Sequence, residues 1–144
     1  MAVDECVFCK IIRGEAEASF VHSDEAVVAF MDIQPITQGH MLVVSREHYV
    51  LMKDVPDPIV LRAFHVARDL ATTSEHVLAA GGVNLFVADG EVAFQDVPHF
   101  HVHVIPRYAQ DGFGLTFPQS YENPPPRAQL HAIAAALHAA EPQT

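Results

Sequence analysis

Residues 95–107 read QDVPHFHVHVIPR, and three histidines, His99, His101 and His103, fall two apart within them. Alternate residues of a β-strand share a face. A strand from His99 to Ile105 therefore turns the three imidazoles to one side and Phe100, Val102 and Val104 to the other. The apolar set is a natural core face. The imidazole set is three titratable rings, each able to serve as base, nucleophile or metal ligand. A solvated, histidine-rich surface accounts for one such residue readily and for three in strict alternation poorly. Two other readings stay open from the residues. All three rings could ligate one metal, although the third reaches poorly across two further steps of strand. Or the labour is divided, with one histidine serving structure and the others catalysis.

Outward from this stretch, the chain carries readable punctuation. Residues 18–32 (ASFVHSDEAVVAFMD) predict two short strands around an Asp-containing turn at Ser23–Glu25. Residues 39–44 (GHMLVV) predict a third strand. A helix is expected to begin with Asp57 as N-cap and Pro58 at its first position. Val60, Phe64, Ala67 and Ala71, flanked by Ala63, Val66 and Leu70, follow helical spacing, and Gly81-Gly82 is expected to end it. Residues 83–87 (VNLFV) predict a strand, turned by ADGE at 88–91. Asn123 and three prolines precede a last helix with an apolar stripe of Leu130, Ile133, Ala134 and Leu137. The order β-β-β-α-β-β-α implies an α+β domain built on an antiparallel sheet.

The chain has 144 residues, half of them hydrophobic, and reads as one domain over 1–144. It carries 18 acids against 8 bases, a formal charge of −10. The bases are scattered, so no patch offers a nucleic-acid footprint. No run of about 18 apolar residues suggests a membrane span. The opening MAVDECVFCK lacks the basic and apolar blocks of a signal peptide, so a cytoplasmic location is expected. Cys6 and Cys9 form a C-x-x-C pair, which in a reducing compartment points to metal or redox chemistry before a disulfide.

The motif HFHVHVIPR resembles the signature of the histidine-triad, or HIT, superfamily of nucleotide hydrolases and transferases. FCKIIRGE (8–15), FMDIQP (30–35) and GHMLVVSREH (39–48) resemble the upstream blocks of that family in the same order, so the likeness extends from residue 6 to about 107. It implies a five-stranded antiparallel sheet with a long central helix and a C-terminal helix, commonly paired as a homodimer through the long helix and a strand. By the same resemblance His101 is the nucleophile toward the α-phosphorus of a purine nucleotide. His103 and Gln95 contact phosphate, and His40 supports them. Asp32 receives the ribose hydroxyls, and Phe8, Phe30 and Leu42 sandwich the base. Taken alone, Asp32 reads as a turn-forming residue and the three apolar residues as core. Zinc-containing bacterial relatives complete a C-x-x-C pair with two histidines, which here implies Cys6, Cys9, His48 and His99 around a structural zinc. Substrates implied are AMP-like purine phosphoramidates or dinucleoside polyphosphates. The rival from another class is a nucleotide-binding sensor or interaction module with little turnover. A catalytic metal held by the triad is a third.

Three positions depart from the family pattern. Ala88 stands for an Asn, Phe94 for a Gly, and Asp96 for a Ser or Thr that donates to phosphate. An ionised Asp does not donate, so Asp96 is expected to point away or to pair with Arg107.

Overall fold

The computed structural model describes residues 3–142. It contains helix α1 (Val7–Ile12), strands β1 (Phe20–Ser23), β2 (Val27–Met31) and β3 (Met41–Ser45), helix α2 (Asp57–Leu78), strands β4 (Gly82–Phe86) and β5 (His101–Arg107), and helix α3 (Arg127–Ala140). The five strands form one antiparallel sheet in the order β1-β2-β3-β5-β4. The last strand in the chain is thus inserted between β3 and β4. Residues Met1–Phe113 form one compact unit and Gly114–Thr144 a second.

The hairpin β1–β2 closes where the sequence places it. Asp24 Oδ1 accepts from the backbone N–H groups of Ala26 (2.8 Å) and Val27 (2.9 Å), the self-capping by which Asp makes a turn. The same carboxylate binds His22 and Arg62, each at 2.8 Å, so the turn is tied to α2. Arg46, just beyond β3, donates to the Asp24 carbonyl and to Ser23 Oγ.

The sheet separates two apolar layers by the period-2 rule. On one face Val27, Ala29, Met41, Val43, Phe100, Val102 and Val104 pack beneath α2. Ala63 and Ala67 are the fully buried α2 residues there, and their small size lets the helix approach the sheet closely. Burying Val102 or Val104 contributes about 1.5–3 kcal/mol each. On the other face Val28, Phe30, Leu42 and Val44 pack against Phe8, Cys9 and Ile11 of α1.

Several sequence expectations shift. Pro56, not Asp57, is the N-cap of α2, and Asp57 lies within its first turn, where a carboxylate still suits the helix dipole. The helix stops two residues before the glycines, because Ala79 takes the left-handed conformation (φ 54°). Gly82 instead opens β4. Phe64 remains 37% exposed and lies outside the core. The strand of the triad begins at His101, so His99 precedes it. Helix α1 was not signalled, since six residues are too few to show a helical period. The stripe on α3 exists as expected, but Leu130, Ile133 and Leu137 are all exposed.

Gly39 is one position that only glycine fills. Its φ is +86°, and a Cβ there would collide with the Leu78 side chain at the end of α2.

Candidate functional site

The α1 face of the sheet carries a row of directly opposed residues across all five strands: Phe20, Phe30, Leu42, His103 and Phe86. The next row places Val44 opposite His101. Beside these rows lies a cavity of about 420 Å³, lined among others by Phe8, Phe30, Asp32, Leu42, His101 and His103. Of the residues expected at a nucleotide site, these and His40 line one space.

Hydrogen bonds set the tautomers of its imidazoles. His101 Nδ1 lies 2.7 Å from the His99 carbonyl, which only accepts, so Nδ1–H donates and Nε2 keeps its lone pair. Burial lowers the pKa of His101, against the pull of its His99 contact and of Asp32 and Asp96, so the ring is biased toward its neutral form. Phe8 presses edge-on against it, with centroids 5.2 Å apart, and restrains its rotation.

A second chain of bonds fixes His103. The Ile36 N–H donates to His40 Nδ1 at 3.2 Å, which leaves Nε2 as the protonated nitrogen of His40. That Nε2–H donates to His103 Nδ1 at 2.9 Å. His103 therefore carries its own proton on Nε2. Burial, together with its neighbours His101 and His40, pushes the His103 pKa down to about 4. Burial likewise lowers His40, which is 1% exposed. The cavity thus offers a lone pair on His101 and an N–H on His103, one strand step of two residues apart.

Asp32 Oδ1 accepts from the Gln34 N–H at 2.8 Å, so the turn role read from its sequence is real. Its Oδ2 stands 3.6 Å from His40 Nδ1, beyond hydrogen-bond range, and the carboxylate still lines the cavity. Gln95 is used differently from the expected phosphate contact. Its amide donates to the Val50 carbonyl (2.7 Å) and accepts from the Gly90 N–H (2.8 Å), clamping the segment that precedes the triad. It is not among the residues lining the cavity. Asp96 neither turns away nor meets Arg107. It lines the cavity, and Arg107 binds Asp111 (2.7 and 2.9 Å) and Asn84 (2.6 Å) instead. The sequence reading missed Phe86, which packs on His103 at 5.7 Å, and Ile36, whose backbone N–H sets the His40 tautomer. No side-chain pattern announces a backbone donor. Phe86 lay within the predicted 83–87 strand, and only pairing with β5 gives it meaning.

His99, the remaining triad member, belongs to another centre. Its Nε2 lies 2.7 Å from the Ser45 carbonyl and donates to it, leaving the Nδ1 lone pair facing inward. Around Nδ1 stand Cys6 Sγ (3.4 Å), Cys9 Sγ (3.6 Å) and His48 Nδ1 (3.3 Å), and Cys9 Sγ lies 3.3 Å from His48 Nδ1. The two cysteines are free thiols, and the four donor atoms lie within 4.8 Å of one another. Tetrahedral zinc with ordinary bond lengths spaces its nitrogens about 3.3 Å apart and nitrogen from sulfur about 3.6 Å. The cluster has that spacing already. Burial next to Cys6 pushes the Cys9 thiol up to about 11, and burial pushes His99 down to about 4. A dication is what such a set fits, since it takes thiolate charge that the buried pocket otherwise refuses. His48 Nε2 is buried without a hydrogen-bond partner among the described residues, and the ring turns its Nδ1 toward Cys9 and His99.

No helix among the described residues is long and apolar enough to cross a membrane.

Comparison with known proteins agrees with the geometry. The HIT domain family matches residues 13–110. A HIT family protein from Bacillus anthracis superposes with a TM-score of 0.88 at 36% identity, covering 96% of this chain and 99% of that one. A zinc-bound histidine triad family protein from Mycobacterium smegmatis gives 0.75 at 34% identity over 97% of this chain and 100% of the other. Adenylylsulfatase HINT3 of Arabidopsis thaliana is 31% identical over 108 residues, 75% of this chain and 55% of the plant protein. With its triad, its sheet order and its matched family segment, this chain belongs to the HIT family.

Proposed function

We propose that the protein hydrolyses purine nucleotides at the α-phosphate, acting on nucleoside phosphoramidates or dinucleoside polyphosphates through a phosphohistidine on His101. The observation that carries this reading is the His101 tautomer. A buried imidazole whose Nδ1–H is held by a carbonyl has a nucleophilic Nε2 with no proton to lose first. Attack forms the P–Nε2 bond as the leaving group departs, and water then cleaves that bond to release the nucleoside monophosphate. His103 Nε2–H donates to a phosphoryl oxygen as charge grows there. His40 acts through His103 by holding its tautomer. Asp32 receives the ribose hydroxyls, and Phe8, Phe30 and Leu42 enclose the base; their place along one cavity supports this. Gln95 acts on phosphate only if its clamp opens, and as placed it shapes the segment instead.

A structural zinc on Cys6, Cys9, His48 and His99 completes the reading, supported by the donor spacing and by the metal of the Mycobacterium smegmatis relative. It leaves no open coordination position and ties α1 to the start of β5. The chain works as a single HIT domain in a cytoplasmic homodimer paired through α2 and a strand; β4, a sheet edge exposing Leu85 and Phe86, fits that use. All residues assigned a role lie within the Met1–Phe113 unit.

Release of AMP from adenosine 5′-phosphoramidate tests the proposal. Wild-type protein turns over, and His101→Ala binds AMP but loses turnover by at least about 10³-fold. A wild type that binds AMP yet cleaves neither a phosphoramidate nor a dinucleoside polyphosphate would identify a sensor instead.

A further inference from the structure

The loop between β2 and β3, residues 32–40, sets Asp32, Ile36 and His40 along the wall of the cavity. Its ends are closed by the pairing of Met31 with Met41 and by the Asp32 N–H, which donates to the His40 carbonyl at 3.0 Å. Two further ties fasten its middle to the end of β5. The Thr37 hydroxyl donates to the Pro106 carbonyl, and the Tyr108 hydroxyl donates to the Gln38 carbonyl at 2.9 Å. Thr37 is 8% exposed and does not itself line the cavity. The register that sets Met41 against Val104 leaves Pro106 beyond the start of β3, and there a side-chain hydroxyl meets the carbonyl. A buried hydroxyl needs a partner, which by itself accounts for the bond. The peptide beside it gives the bond a further consequence.

Ile36 precedes Thr37, and its N–H donates to His40 Nδ1 at 3.2 Å, the long end of the hydrogen-bond range. The Thr37 carbonyl accepts from the His40 N–H at 3.1 Å, so the positions of residues 36, 37 and 40 are linked. Asp32 Oδ2 stands 3.6 Å from the same Nδ1. Two arrangements of one relay therefore compete for that nitrogen. With Ile36 donating to Nδ1, His40 keeps its proton on Nε2, donates it to His103 Nδ1, and leaves His103 with N–H at Nε2. With the Ile36 amide drawn away, the carboxylate is the nearby partner for Nδ1. His40 then holds its proton on Nδ1, its Nε2 accepts from His103 Nδ1–H, and His103 presents a lone pair at Nε2. A lone pair there would face a phosphoryl oxygen and repel it.

We propose that Thr37 is a positioning residue that sets the direction of the Asp32–His40–His103 relay, by holding the Ile36 amide against His40 Nδ1 from its anchor on β5. The effect on rate rests on the hydrolase reading above, whereas the tautomer is a property of the folded chain and is read without turnover.

The test compares wild type, Thr37→Val, Thr37→Ser and Tyr108→Phe in the full chain. Nitrogen NMR of the imidazoles should find His103 protonated on Nε2 in wild type and shifted toward Nδ1 in Thr37→Val. On adenosine 5′-phosphoramidate, Thr37→Val should lower kcat about tenfold, while the calorimetric Kd for AMP changes by less than about threefold. Thr37→Ser restores the hydroxyl and should recover kcat and tautomer together. Tyr108→Phe removes the outer, exposed tie and should move both in the same direction, by about twofold in kcat. An unmoved His103 tautomer in Thr37→Val, or a loss of kcat that Thr37→Ser does not recover, would overturn the proposal. If Thr37→Val does not fold, an unmoved tautomer in Tyr108→Phe would overturn it instead. Wild type without turnover, with a His103 tautomer that still follows Thr37, would overturn the hydrolase reading and keep the relay.

Discussion

At the scale of single residues, the three alternating histidines differ in what their second nitrogen touches. His99 gives Nε2–H to Ser45, His101 gives Nδ1–H to His99, and His103 receives at Nδ1 from His40. Each contact frees the opposite nitrogen, with a lone pair on His99 and His101 and a proton on His103. The relay from the Ile36 N–H through His40 to His103 predicts that His40→Ala lowers kcat roughly 10–100-fold while changing KM little, since His103 loses the partner that fixes its proton on Nε2. Steady-state kinetics on adenosine 5′-phosphoramidate check this, with partial recovery expected in His40→Gln, which still donates.

Asp24 makes a residue-scale prediction about stability. Burial alone would raise its carboxyl, but His22, the Val27 and Ala26 amides and Arg62 outweigh that and hold it well below the usual carboxylate range. A depressed folded pKa contributes stability that is complete above the unfolded value of about 3.9 and is lost as pH falls through the folded one. Asp24→Asn should therefore cost about 2 kcal/mol at pH 7. The gap should narrow as pH falls below about 4, as measured by urea unfolding of both proteins from pH 7 downward. His22, Arg62 and Arg46 are the titratable groups facing it, and carrying the series on His22→Gln separates their part.

Among the elements, the close approach of α2 to the sheet governs what is tolerated. Gly39 lies against Leu78 at the C-terminal end of α2 and against Pro106 of β5, with a positive φ. Gly39→Ala meets both a steric and a backbone penalty, and a loss of about 1–3 kcal/mol in chemical denaturation is expected. His40 is the next residue, so any shift there should also reach the relay to His103. Strand β5 has the heaviest duty of the five. It pairs with β3 and β4 together, and its alternate residues supply one apolar layer and the reactive imidazoles.

For the molecule as a whole, the Cys6–Cys9–His48–His99 cluster joins α1, the segment after β3 and the approach to β5. Cys9→Ser, or exhaustive chelation, should take bound zinc from about one equivalent to near none. Because α1 presents Phe8 to the His101 ring, loss of the metal should lower the melting temperature and reduce turnover together. Elemental analysis beside scanning fluorimetry checks the pair of outcomes. A full melting temperature with no metal would show that the cluster holds without an ion.

How far the chain could be read before folding follows from the range of each interaction. Strands, the long helix and the apolar face of Phe100, Val102 and Val104 are local patterns, because period and punctuation are properties of neighbouring residues. The residues of the site were likewise legible as types at motif spacings. Their employment was not. The clamp on Gln95 needs Val50, 45 positions away, and the Arg107 pairing needs the turn that brings Asp111 beneath it. The separation of His99 from its two neighbours depends on cysteines 93 and 90 residues upstream. Sequence by itself determined the sheet-forming pattern and the donor set. Tertiary structure alone decided which nitrogen keeps a proton and which carboxylate faces the cavity, because hydrogen bonds and charge act across space between segments that no short pattern relates.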